Sequence, residues 1–302
     1  EDGYGLRPNI GIRGATAERS QKVTLLEDGV LIAPAPYSAP AAYYITNAAR
    51  LYAVEVLKGP SAIQSGPHTV GGTINLITRP VPSENFAEID LTAGSDGYKK
   101  VAGAAGYTME NVGVLLEAFS YGSDGFKELS SGAGTGFVRN DVNLKLRWQP
   151  ETTLPQIVTL KIGFADEDAD ETYLGLTDAD FKAQPERRYS ASQLDRFQSD
   201  HKQIHLNHSI TFDTDFELVT KIYANQYHRS WNKLDGFMDG PKVQDVLLNP
   251  SAYLSAYRVL QGIQDSTIGD FTDLTIDVTD NDREYTSNGI QFDLSKSLNA
   301  LG

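Results

Sequence analysis

From Phe86 onward, apolar and polar residues alternate one for one through much of the chain. In Phe86–Ala93, Ala87, Ile89, Leu91 and Ala93 share one side, and Phe86, Glu88, Asp90 and Thr92 the other. At 140–148, Val142, Leu144, Leu146 and Trp148 oppose Asp141, Asn143, Lys145 and Arg147. At 157–164, Val158, Leu160, Ile162 and Phe164 oppose Thr159, Lys161 and Gly163. At 201–210, Ile204, Leu206 and Ile210 oppose His201, Gln203, His205 and Asn207. This parity predicts strands with one apolar and one polar face. Stretches at 98–107, 112–121, 216–227 and 283–294 bring the count to about eight.

Soluble sandwiches share such alternation, so the connections discriminate better. They are short at 94–97, 108–111, 149–156 and 212–215, and long at 122–138, 166–200 and 229–282. In an up-and-down meander all three long loops fall on one rim. Short turns on one rim and long loops on the other are the outer-membrane barrel pattern. Trp148, at a short-turn end, and Tyr223 and Tyr227, near a long-loop end, then read as interfacial aromatics.

Residues 1–82 follow another pattern. Short apolar runs at 24–27, 54–57 and 74–77 are punctuated by Gly and Pro. Asp28-Gly29 marks a tight turn. Pro34, Pro36 and Pro40 make 31–43 a rigid loop, and 41–52 allows one or two helical turns. A small unit ahead of a strand meander predicts a plug inside a barrel, and so transport. A closed eight-stranded barrel is filled by its own side chains, so a plug of this size needs further strands. Gly59, Gly66, Gly71 and Gly72 serve turns and close backbone approach. A phosphate cradle is excluded, because no GxxxxGK[ST] is present.

Composition narrows the classes further. The 302 residues include no cysteine, which excludes disulfides and thiolate metal sites. With 40 acidic and 26 basic residues the net charge is −14, which disfavours nucleic acid as a partner. No apolar run approaches the ~18 residues of a spanning helix, but barrel strands need only ~9–11 with alternate positions apolar.

The N-terminal motifs, taken in order and at their spacing, resemble the plug domain of TonB-dependent outer-membrane receptors. They are Ile12-Arg13-Gly14, Asp28-Gly29-Val30, Val54-Glu55-Val56-Leu57-Lys58-Gly59-Pro60-Ser61-Ala62, and Gly66-Pro67 followed by Val70-Gly71-Gly72-Thr73-Ile74-Asn75. Ala35-Pro36-Tyr37, Gly66-Pro67-His68-Thr69, Thr172-Tyr173-Leu174-Gly175-Leu176-Thr177 and Asp195-Arg196-Phe197 are similar to the ferric-citrate receptor branch. The resemblance implies an α+β plug domain (1–82) followed by antiparallel transmembrane β-barrel strands (83–302), about eight of roughly 22. Neither a TonB box nor the closing strands are visible, so the chain is expected to be a fragment of a longer receptor. The implied function is TonB-dependent import of a ferric chelate, ferric citrate or a siderophore, across the outer membrane of a Gram-negative bacterium. The implied partners are TonB with ExbB and ExbD, outer-membrane lipid and the chelate itself. The alternatives are another cargo, cobalamin or a saccharide, or an outer-membrane barrel enzyme.

The resemblance also places residues. Arg13 and Lys58 would pair with wall glutamates, for which Glu88 and Glu117 are candidates. Tyr37, His68 and Thr69 lie on plug loops that would face the ligand. Arg187 and Arg188, on a long loop, could grip a carboxylate ligand, because guanidinium forks match carboxylates. His201, Gln203 and His205 read as a polar lumen row and not as a metal site. The acidic run Asp166, Glu167, Asp168, Asp170 and Glu171 reads as a solvated face. No catalytic residue, resident metal or cofactor is expected, since GxSxG and HExxH are absent and the chelate is cargo.

Overall fold

A computed structural model of the chain describes residues 4–213, 216–265 and 273–296. The N-terminal unit holds a small sheet of β1 (Val23–Glu27), β2 (Val30–Leu31), β3 (Leu51–Leu57) and β4 (Gly72–Thr78), in the order β2-β1-β4-β3. Strands β1 and β4 run parallel, with Val23 opposite Gly72. The Asp28-Gly29 pair turns β1 into β2 with both residues at positive φ, 52° and 79°. That is the backbone twist a two-residue hairpin favours. At Gly72 (φ 145°) a Cβ would meet the Leu57 carbonyl oxygen at 2.5 Å, so close approach requires glycine there.

The remaining strands are β5 (Phe86–Ala93), β6 (Lys99–Met109), β7 (Val112–Ser123), β8 (Glu128–Leu129), β9 (Phe137–Trp148), β10 (Gln156–Asp170), β11 (Arg187–Arg188), β12 (Arg196–Asp213), β13 (Phe216–Asp239), β14 (Asp273–Asp280) and β15 (Arg283–Lys296). Strands β8 and β11 pair with each other. The other nine form one antiparallel sheet, with both β14 and β15 on the same flank of β13. Asp280 lies opposite Asn232 and Arg283 opposite Arg229, so β14 and β15 are one strand position broken at 281–282. The sheet therefore has eight positions, the number expected from parity. Among the described residues, β5 and β15 have no partner on their outer edges.

The sheet is inside out relative to a soluble protein. Along β9, Asp141 and Asn143 are 1% exposed, whereas Val142 is 45% exposed. Along β10, Lys161 is buried while Ile162 and Phe164 are 43% and 40% exposed. Along β12, His201, Gln203 and His205 are buried and Ile204 is exposed. The polar face packs on the N-terminal unit, and the apolar face points away from it. An extended apolar band suits hydrocarbon, because a water-facing surface would place its polar side outward.

Parity also corrects two aromatics. Ile222 is exposed and Tyr227 is buried against Val23 and Ala165, so odd positions of β13 face the lumen. Tyr223, on the same face, stacks edge-on with His205. Neither tyrosine is an interfacial girdle residue. Trp148 does point outward and is exposed.

The strands run further toward the long-loop rim than alternation showed. β10 reaches Asp170, β12 starts at Arg196, β13 reaches Asp239, and β14 occupies part of the expected 229–282 loop. Beyond the apolar band Phe197, Trp231, Leu234 and Phe237 pack on one another or on the loops, so the period-2 signal fades while the hydrogen-bond ladder continues. The loops there fold together. Leu174 and Tyr189 from one loop pack with Val246, Val259 and Leu260 of α2 (Val243–Leu248) and α3 (Leu254–Gln261). The short helix α1 (Asp178–Ala183) joins through Asp180, which accepts hydrogen bonds from Tyr189 (2.5 Å) and Tyr257.

Candidate functional site

Strand β1 fixes the plug's depth in the sheet. Val23 packs with Ala165, whereas Glu27 meets Lys161, four residues closer to the short-turn rim along β10. The starts of β1 and β4 therefore face the long loops, and their ends reach toward the short turns. At the deeper end lies a buried ion-pair network. Glu27 accepts from Arg50 at 2.9 Å and is in contact with Lys161. Asp28 meets Lys161 at 2.8 Å and Lys145 at 3.5 Å. Arg50 also reaches Asp141 (3.4 Å) and Glu117 (4.0 Å), and Arg79 reaches Glu117 (3.6 Å) and Glu88 (2.5 Å). Setting aside the more exposed Glu88, the acids Glu27, Asp28, Glu117 and Asp141 balance the bases Arg50, Arg79, Lys145 and Lys161. Burial pushes the Glu27 carboxyl up, but Arg50 and Lys161 outweigh it and hold the group well below its usual range. Asp28, also raised by burial, is brought down to about 2 by Lys161 and Lys145.

Glu88 and Glu117 thus meet plug-side cations, but these are Arg79 and Arg50. Arg13 and Lys58 are exposed and have no carboxylate partner among the described residues. Leu57, beside Lys58, pairs with Thr73, while Leu51, beside Arg50, pairs with Thr78. The paired cations Arg50 and Arg79 thus lie at the opposite end of the β3–β4 pair from Lys58. The usable signal was the inward parity of Asp141, Lys145 and Lys161, which called for opposite charges on the plug.

At the long-loop end the plug, wall and loops enclose a cavity of about 470 Å3, lined among others by Arg19, Tyr43, Tyr173, Trp231, Lys233 and Asp235. A neighbouring cavity of about 320 Å3 shares Arg19, Tyr43, Trp231 and Lys233 and adds Arg229 and Arg283. Arg229 lies over the rings of Tyr43 (4.6 Å) and Trp231 (5.4 Å), and Arg19 donates to the Tyr43 hydroxyl at 3.5 Å. Tyr173 packs on Trp231 at 5.3 Å between centroids. Arg19 and its neighbour Ser20 hold positive φ, 50° and 56°. Such conformations are strained for non-glycine residues and need surrounding structure to persist. The vestibule therefore gathers cations on aromatic faces, in a chain of net charge −14. None of these vestibule residues was selected from sequence as a ligand residue, because they converge from positions 19, 43, 173, 229–235 and 283.

Of the sequence-selected ligand residues, Tyr37 is 77% exposed, next to Ser38 and Pro40 of the second cavity. His68 (φ 61°) and Thr69 are half-buried on the loop entering β4, at its long-loop end. Arg187 bonds Asp180 at 3.5 Å, and Arg188 donates to the carbonyls of Pro185 and Arg187. Both arginines thus tie their own loop together. The acidic run is not a solvated face throughout. Arg7 of the plug pairs with Glu167 (2.5 Å) and Glu171, both buried. His201 stacks on Tyr44 at 3.8 Å, and His205 bonds Asn225 at 2.9 Å. Among the described residues no cluster of three or more metal-ligating side chains occurs.

Residues 1–73 match the family model of the TonB-dependent Receptor Plug Domain. The whole chain resembles TonB-dependent receptors in fold. The ferric citrate transporter FecA, unliganded, matches with a TM-score of 0.66 and 24% identity, over 76% of this chain and 35% of that one. The ferric-catecholate import receptor Fiu of E. coli K12, open form, matches with a TM-score of 0.66 and 12% identity, over 98% of this chain and 43% of that one. In sequence, 102 residues are 29% identical to the vitamin B12 transporter BtuB of Photobacterium profundum, covering 34% of this chain and 16% of that protein. The chain thus spans well under half the length of these relatives.

Proposed function

We propose that this chain is the plug and the first wall strands of a TonB-dependent outer-membrane receptor that imports an anionic ferric chelate, ferric citrate or a siderophore. The observation that carries this reading is the vestibule. Arg19, Arg229, Lys233 and Arg283 gather above the plug at the long-loop rim of an inside-out sheet. The chelate is cargo, and the protein supplies charge, aromatic faces and a blocked lumen. Tyr37, His68 and Thr69 are proposed as further contacts from the plug, and Arg187 and Arg188 as contacts once their loop rearranges. Energy would come through TonB with ExbB and ExbD, and the outward apolar band would sit in outer-membrane lipid of a Gram-negative bacterium. The vestibule and the ion-pair network suffice for binding and blocking, and a reaction is not part of the reading.

The test is a titration of the full-length protein in detergent with ferric citrate, with R229Q/K233Q as the variant. Loss of one buried charge-assisted contact per substitution predicts at least about tenfold weaker binding. Unchanged affinity in the variant would overturn the vestibule as the site, and wild-type growth of a deletion strain on each candidate ferric chelate as sole iron source would overturn the import reading. The vitamin B12 transporter relative makes cobalamin the natural competitor. A largely neutral corrinoid has little use for four converging cations, and displacement of the chelate by cyanocobalamin would reverse that preference.

A further inference from the structure

The wall's inward cations continue below the plug. A cavity of about 310 Å3 at the short-turn end is bounded by Asp28, Thr78 and Val81 of the plug side and by Lys145, Arg147, Lys161 and Lys221 of the wall. Strand register explains the convergence. Arg147 lies opposite Thr159, Thr159 opposite Asn207, and Asn207 opposite Lys221, so one inward rung crosses four strands. The adjacent rung is Lys145, Lys161 and His205. Arg147 and Lys221, at the two ends of this rung, both line the cavity.

The charges do not balance here. Four basic side chains meet one carboxylate, Asp28, and counting Glu27 behind Lys161 still leaves two bases over. Lys145 and Lys161 are engaged by Asp28. Lys221 and Arg147 instead donate to neutral oxygens, the carbonyls of Asp28 (3.2 Å) and Val81 (3.4 Å). Arg147 Nε and Asn207 Oδ1 are buried with no partner. A buried guanidinium nitrogen without an acceptor is costly, and an anion would satisfy it.

We propose that this cavity is a second anion site, on the far side of the plug from the vestibule, for a small polycarboxylate. Arg147 supplies a fork, Lys221 a point charge, and Thr159 and Asn207 neutral hydrogen-bonding groups between them. The wall faces the lumen here, so the ligand is a dissolved anion and not a lipid headgroup. Use of the site as the next stop for a carboxylate chelate leaving the vestibule rests on the transport reading. The binding itself does not.

The test is equilibrium dialysis of the full-length protein in detergent against radiolabelled citrate at low ionic strength. R147Q/K221Q should bind one citrate fewer per protein than wild type, while K221R, which keeps both charges and the Arg147 fork, should retain it. Inorganic phosphate should compete at the same site. Wild-type stoichiometry in R147Q/K221Q, with heat-modifiable gel mobility showing a folded barrel, would overturn the proposal. So would loss of the site in the charge-conserving variant, since that would mark a merely structural role. R229Q/K233Q is the counterpart. If it leaves binding intact while R147Q/K221Q removes a site, the vestibule reading fails and the exit-side site stands.

Discussion

Glu27 is fully enclosed between plug and wall, held by Arg50 at 2.9 Å and in contact with Lys161 and Thr46. Truncating one member of such a cluster strands the others as unpaired buried charges, which costs about 3–5 kcal/mol. Glu27→Ala should therefore lower the free energy of plug unfolding in the full-length protein by that amount, read as a lower urea midpoint. Lys58→Ala, exposed and unpaired with any carboxylate among the described residues, should stay within about 0.5 kcal/mol of wild type. The same carboxylates predict a pH response. Asp28 is lowered from 3.8 to about 2, and Glu27 is also lowered, so each binds protons more weakly in the folded state. Their stabilisation is fully present above the unfolded-state values and is lost as pH falls from about 4 through about 2. Urea midpoints measured from pH 6 to pH 3 should be flat at first and then drop. A midpoint that rises below pH 4 would show that these carboxyls are protonated in the folded protein. Such pairings were partly legible in the sequence. Inward parity marked Asp141, Lys145 and Lys161 as wall charges, and the resemblance added Glu117, but a partner's depth depends on how the plug seats, and alternation carries no information on that.

Strand parity was the most readable feature at the level of elements, because lipid on one side and plug on the other impose opposite demands on neighbouring residues. Ile162 on β10 points outward between the inward pair Lys161 and Gly163. Ile162→Arg should destabilise membrane insertion by about 2–4 kcal/mol if the position lies at mid-bilayer, and less toward either interface. Folding into lipid vesicles, followed by heat-modifiable gel mobility, measures this. An unaffected folded fraction would mean that β10 does not face lipid at that height. Parity failed where that environment ends. Residues 166–170 and 230–239 continue as strands in which apolar and polar residues no longer alternate regularly, and 273–280 forms a strand inside the expected loop. The helical loop cap was illegible for a different reason. α2 and α3 are six and eight residues long, and their apolar positions have meaning only against Leu174 and Tyr189 of another loop.

For the molecule as a whole, the open flanks of the wall matter most. The sheet curves round the plug but leaves the outer edges of β5 and β15 unpaired among the described residues, with their backbone N–H and C=O groups unsatisfied. In hydrocarbon each such group costs several kcal/mol, which is why membrane sheets close on themselves. The eight-position count and the plug were both readable in the sequence, and together they required more wall than eight strands provide, since a closed eight-stranded barrel has no room for a plug. Residues 1–302 expressed alone should therefore fail to give a heat-modifiable monomer in lipid vesicles and should associate through the β5 and β15 edges, as exposed strand edges do. The full-length protein should give one compact species that unfolds on heating. Cross-linking between cysteines introduced at Ile89 and Ile290, both outward-facing and exposed, distinguishes the outcomes. Intermolecular cross-links in the shorter chain and none in the full-length protein fit edges that further strands would cover. An intramolecular cross-link in a monomeric shorter chain would show that β5 and β15 pair directly, and the reading of a larger barrel would fall with it.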